Sequence, residues 1–457
     1  MCKILSVCIT LLIIGSADAL KIEINKGDVR PDPIAIVDFF DKNGNDSEKG
    51  HAIGEIITRD LELSGLFVPI DSSSFLESSN VLATRGHNIK NWNVLNARFL
   101  VYGIINNSGS NFSVDFKLID VVTGGTMLSM SISGTEAKLR KTAHVIADYI
   151  YERVTNEQGY FNTHIIVVES ASRAGIRRKT RLVKIDQDGY NPENLTDGSE
   201  LVLMARYSPD AQNIAYISYS DTDKGILGKS AHVYVMNLQT GSQRLLINKS
   251  MMRELIKKNH GNPVQMTYAP RFSSDGKKAV LAIIIDGKSA IYILDIDKNE
   301  LKQLTKHECI DTSPCFSPDG SRIVFTSNRD GREAIFTMNS DGSDQKKISK
   351  EGGKYSQPMW SPRGDLIAFA KTFHGQFYIG VMKPDGSGER LITSGYLVEA
   401  PCWASNGRYI AYSCESGPKQ KAKVGVVDIT GNHTRLIETR GDAMYPAWSP
   451  KLAVKIK

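Results

Sequence analysis

Short runs such as Arg322-Ile-Val-Phe-Thr-Ser, Leu366-Ile-Ala-Phe-Ala and Tyr409-Ile-Ala-Tyr-Ser are rich in β-forming residues, and each is preceded by a polar turn. The turn itself follows an aromatic residue and recurs as Tyr207-Ser-Pro-Asp, Phe272-Ser-Ser-Asp-Gly, Phe316-Ser-Pro-Asp-Gly, Trp360-Ser-Pro-Arg-Gly, Trp403-Ala-Ser-Asn-Gly and Trp448-Ser-Pro-Lys. Steps from aromatic to aromatic are 65, 44, 44, 43 and 45 residues, a period in the range of propeller blades. The long first step places an insertion at residues 248–265.

Within Ser317-Pro318-Asp319-Gly320, Ser at the first position, Pro at the second and Gly at the fourth suit a type I turn between two strands, here A and B. About twenty residues after each aromatic lies a third strand, C, as in Tyr292-Ile-Leu-Asp and Phe336-Thr-Met-Asn. A fourth, D, is visible in Lys302-Gln-Leu-Thr, Lys346-Lys-Ile-Ser and Arg390-Leu-Ile-Thr. Four antiparallel strands per repeat describe a blade. Ahead of the first A strand, His164-Ile-Ile-Val-Val, Arg181-Leu-Val-Lys-Ile-Asp and Glu193-Asn-Leu-Thr supply B, C and D alone, whereas Pro446-Ala-Trp-Ser-Pro supplies an A strand with almost nothing after it. The two incomplete sets make a sixth blade, so the ring closes by pairing its two ends. Residues 452–457 compete with residues 164–168 for the B position of that blade.

Residues 20–157 do not share the period. Ile34-Ala-Ile-Val-Asp-Phe-Phe reads as a buried strand; Ile53, Ile56, Ile57, Leu61 and Leu63 fall mainly on one helical face, and Ser64-Gly65 ends that run. Further strands are predicted over residues 67–70, 99–105, 112–122 and 126–132, and a closing helix over 136–154. The fold class is therefore an α+β two-domain protein: a small α/β amino-terminal domain, then a six-bladed β-propeller over residues 158–457.

The first nineteen residues differ again. Lys3 precedes an apolar run from Ile4 to Ile14, and Ala17 and Ala19 form a small-residue cleavage site, so a signal peptide cut after Ala19 is expected. No later segment is long and apolar enough for a transmembrane helix. The net charge of +6 is spread along the chain without a basic block, which gives nucleic-acid binding no support. Of the cysteines beyond the signal segment, Cys315 and Cys402 each follow a repeat proline and read as buried small apolar side chains. Their spacing fits no zinc pattern, and no His and carboxylate cluster suggests another metal or cofactor.

A signal peptide, an α/β domain carrying Ser64-Gly65-Leu66-Phe67, and six blades ending at Pro446-Ala-Trp-Ser-Pro together resemble the TolB family of the Tol-Pal system, over essentially the whole mature chain. The resemblance implies a periplasmic, non-enzymatic protein without cofactors that links TolA to the lipoprotein Pal, and it extends to other outer-membrane lipoproteins as partners. Outer-membrane integrity and invagination at cell division are the implied roles. It also implies a TolA-binding segment at the mature amino terminus: Leu20, Lys21, Ile22, Glu23, Ile24 and Asn25. Ile22 and Ile24 alternate with polar residues, as suits a strand added to a partner's sheet edge. Pal docking at one mouth of the propeller channel is implied for Asp311, Thr312, Tyr355, Glu399 and Tyr445, which sit just ahead of the A-strand prolines. The family's histidine before the second phrase is unmatched, since Met266 falls there.

Two other classes share parts of this pattern. A serine hydrolase capped by such a propeller needs a G-x-S-x-G elbow and a further domain, and the chain has neither the pentapeptide nor the residues for that domain. A ligand-binding or lyase propeller needs ligating side chains in its channel.

Overall fold

Strands β1 (Asp32–Ile36) and β2 (Phe67–Pro69) flank helix α1 (Glu48–Leu63) in the amino-terminal domain. The computed structural model describes residues 30–170, 179–220, 230–262, 264–266, 270–306, 308–418 and 420–453. The signal segment and Leu20 to Asn25 lie outside them. Strands β3 (Phe99–Ser108), β4 (Asn111–Asp120) and β5 (Thr126–Thr135) complete a mixed sheet of order β2-β1-β3-β4-β5, with β1 parallel to both β2 and β3.

Helix α1 starts where Ser47 Oγ accepts the amide of Gly50, and it buries Ile53, Ile57 and Leu61 completely. Helix α4 (Leu139–Thr155) packs on the same sheet face through Ile146 and Ile150 and ends on Asn156 in the left-handed conformation. Two short helices absent from the sequence reading, α2 (Ser79–Arg85) and α3 (Ile89–Val94), cover the other face, where Leu82 and Trp92 meet Val37, Phe40 and Leu100. Glu77 fixes this layer by accepting the Trp92 indole N–H at 2.6 Å and the Asn88 amide at 2.9 Å.

Six sheets follow, each with A innermost. The A strands are Leu201–Tyr207, Arg271–Phe272 with a separate piece Val264–Met266, Asp311–Phe316, Lys354–Trp360, Leu397–Trp403 and Ala443–Trp448. The insertion forms helix α5 (Lys249–Lys258), whose Met251 and Leu255 pack with core residues of blades one and two, and then the first piece of the second A strand. The turn phrase is self-contained: Ser317 Oγ donates to Asp319 at 2.5 Å and accepts the Arg322 amide at 2.9 Å, while Gly320 takes φ +72°. Ser208 and Ser273 repeat the arrangement with Asp210 and Asp275.

The ring closes where Ala443–Trp448 pairs antiparallel with His164–Ser170, with Trp448 opposite Ile165. That settles the competition for the B position in favour of His164–Ser170; Leu452 and Ala453 form no strand.

The two domains share a seam. Tyr160 stacks between Phe161 and Tyr409 with Trp448 edge-on, and the Trp448 indole donates to Thr163 at 2.8 Å. The Tyr409 hydroxyl donates to the carbonyl of Ser64 at 2.8 Å. Gly65 takes φ +71°, and a Cβ there would meet the His433 ring at 2.5 Å, so both the backbone and the close approach require glycine. Glu157 pairs with Arg363 and Arg408 in the turns of blades four and five. Within the seam, Asp60 of α1, Arg140 and His144 of α4, and Asp186, Gln187 and Asp188 of the sixth blade form one buried polar network.

Candidate partner-binding channel

Each A strand runs from one mouth of the channel to the other, and those of the third to sixth blades share one irregularity. Register with the B strand slips between Thr312 and Cys315, Ser356 and Met359, Glu399 and Cys402, and Met444 and Ala447. At the slip sits a non-glycine residue with left-handed backbone: Ser313, Gln357, Ala400 and Tyr445, with Met204 equivalent in the first blade, all at φ between 52° and 56°. Left-handed geometry costs an ordinary residue on the order of 1–3 kcal/mol and persists only where the surroundings enforce it. These five residues line the channel with Arg206, Arg271, Pro314 and Pro401.

At the mouth where the A strands begin, the carboxyl of Glu399 is hydrogen-bonded to the side chains of Tyr445 and Gln357, and burial raises its pKa against those bonds. Gln357 Oε1 in turn accepts the Ala400 amide at 2.6 Å. Thr312 is half-buried near the start of the third blade's A strand. The other sequence-derived candidates are held internally. Asp311 is fully buried, with both oxygens bonded by the Arg329 guanidinium at 3.1 and 3.2 Å. Tyr355 is 1% exposed and its hydroxyl lies between Glu389 and Lys371. The sequence places all five just before their strands, whereas the structure puts them inside, because the slip lets A–B pairing continue on both sides of it. Arg206 and Arg271 were missed, although a signal exists: the residue before the repeat aromatic is Cys315, Met359, Cys402 and Ala447 in the other four blades.

The opposite mouth is ringed by the repeat aromatics. Phe272, Phe316, Trp360, Trp403 and Trp448 with the turn prolines Pro318, Pro362 and Pro450 surround a cavity of about 360 Å³ that Gln158 also borders. The seam contacts named above all fall on A–B or C–D turns, at this end of the blades. The mouth bearing Glu399 and Tyr445 is thus turned away from the amino-terminal domain.

Two family models match the chain, the TolB amino-terminal domain over residues 20–127 and the TolB beta propeller domain over residues 151–452. The chain belongs to the TolB family. It is similar to the Tol-Pal system protein TolB of Paramagnetospirillum magneticum, at 41% identity over 230 residues. That match spans about half of each protein, 50% of this chain and 49% of the relative. The crystal structure of TolB from Acinetobacter baumannii superposes with a TM-score of 0.79 over 92% of this chain and 97% of that one, at 24% identity, a likeness of fold.

Among the described residues, one group has the spacing of a metal site, Asp60, His144 and Asp188. It lies in the domain seam, and Arg140 Nη2 stands 2.5 Å from Asp188 while Gln187 donates to Asp60 at 2.8 Å. These donors already occupy the carboxylates.

Proposed function

We propose that this TolB-family chain is a periplasmic, non-catalytic component of the Tol-Pal system that links TolA to Pal, supporting outer-membrane integrity and invagination at division. The observation carrying the reading is the channel mouth where Glu399 is bonded to Tyr445 and Gln357, which faces away from the amino-terminal domain; Thr312 opens the equivalent strand of the third blade. Pal docks there, Asp311 and Tyr355 support the mouth from behind through their internal bonds, and other outer-membrane lipoproteins compete for the same place. TolA takes the segment Leu20, Lys21, Ile22, Glu23, Ile24 and Asn25 as an added strand.

Two affinities test this. A chain beginning at Lys26 loses TolA binding and keeps Pal binding, and the combination T312A with E399Q weakens Pal at least tenfold with an unchanged melting temperature. Unaltered Pal affinity in the double variant would remove the mouth from the reading, and full TolA affinity in the shortened chain would remove the segment. Capture of Pal by the unmodified chain from periplasmic extract checks the pairing itself.

A further inference from the structure

One residue precedes each repeat aromatic: Arg206, Arg271, Cys315, Met359, Cys402 and Ala447, of which the last four pack into the blade cores. Two of the six are arginines, they come from neighbouring blades, and both line the channel cavity. Among the described residues neither guanidinium has a carboxylate partner; the bond that Arg206 makes is from Nη1 to the carbonyl of its own neighbour, Ala205, at 2.7 Å. Burial lowers the pKa of Arg206, and the like charge of Arg271 lowers it further. A guanidinium cannot relieve this by shedding its proton near neutral pH, so the remedy open to it is a counter-ion. The carboxyl of Glu399, which neighbours the lining residue Ala400 in the chain, is turned to Tyr445 and Gln357 instead.

The geometry points to an anion site between Arg206 and Arg271 inside the propeller channel, taking a small monovalent anion of halide size. Charge sets the sign of the ligand: two adjacent fixed cations with unused N–H donors facing one cavity. Space sets its size. The cavity measures about 20 Å³, room for roughly one water-sized sphere, which excludes phosphate and sulfate. Ser313 adds a hydroxyl group to the same wall, and no acidic side chain is among its lining residues. The inference does not depend on which partner docks at the mouth.

Bromide is the probe. Crystals of the full chain soaked in sodium bromide are expected to show an anomalous peak in contact with both guanidinium groups, absent in R271Q and retained in R271K. In solution, exchanging chloride for gluconate at constant ionic strength is expected to lower the melting temperature of the parent and of R271K by about 1 °C and to leave R271Q unmoved, the size of shift that occupying a weak site gives a chain of this length. No bromide peak at this position, or equal anion dependence in the parent and a folded R271Q, would overturn the site. Should R271Q fail to fold, R271M provides the same charge deletion with an apolar side chain, and the crystal peak in the parent decides independently.

Discussion

Gln187 in the sixth blade donates its side-chain amide to Asp60 in the amino-terminal domain at 2.8 Å, and both residues are fully buried. The second oxygen of Asp60 lies 2.6 Å from His144 Nδ1. On the other side, Arg435 of the fifth blade donates to Gln187 Oε1 at 2.8 Å, while Arg140 spans Asp186 and Asp188. Three carboxylates face two arginines and a histidine, so a protonated His144 makes this network electrically neutral. A network of balanced charge can be buried without leaving a stranded charge, although Arg435 Nε within it has no hydrogen-bond partner.

The first prediction concerns pH. Burial alone would depress the pKa of His144, but Asp60, Asp186 and Asp188 lift it from 6.5 to about 10. A raised histidine contributes stability that is fully present below the unfolded value of 6.5 and is lost as pH climbs through about 10. Urea midpoints are expected to fall between pH 7 and pH 10, and H144Q, weaker at pH 7, is expected to show a flatter alkaline profile. Identical slopes in the two proteins would contradict the assignment.

Removing the arginine that holds Asp311 strands a carboxylate with no exposed surface. R329A is expected to cost about 3–5 kcal/mol of unfolding free energy. Adding D311N to it should recover part of the loss. E399Q, by contrast, is expected to leave denaturant midpoints within about 0.5 kcal/mol of the parent, the range of replacements outside the packed interior.

At the seam, Y409F deletes the donor to the Ser64 carbonyl and leaves that oxygen buried. The expected cost is about 1–3 kcal/mol. Limited proteolysis reads where the loss falls: cleavage between the domains accelerates while the isolated propeller remains resistant.

G65A combines a left-handed backbone with a Cβ pressed against the His433 ring. Strain of about 1–3 kcal/mol is expected, and H433A is expected to relieve the steric part of it. Equal melting temperatures for the parent and G65A would show that the helix end relaxes freely.

The blades were legible because their signals are local. Ser317, Asp319 and Gly320 make their turn with one another, so a repeated phrase reports repeated structure wherever it occurs. Closure was legible by counting, since the unmatched A strand at Trp448 needs the unmatched B strand at Ile165. The channel wall was not. Ser313, Gln357, Ala400 and Tyr445 have no residue type in common, and their left-handed backbone is imposed by the register slip rather than by their own preference. The two helices over residues 79–94 escaped for a related reason: each has a single buried side chain, Leu82 or Trp92, too few to set a period. Asp311 and Thr312 are adjacent in sequence, yet one is sealed by Arg329 and the other half-exposed, a difference that only the blade's tertiary packing creates.

The seam between Ala443–Trp448 and His164–Ser170 has a meaning for how the chain is made. Synthesis runs from the amino end, so the sixth blade waits with its inner position vacant until the five blades between its two parts have been added. A prematurely terminated product keeps an unsatisfied strand edge in its last blade and cannot complete the ring. The strand Ala443–Trp448 thereby ties closure of the ring to completion of all six blades.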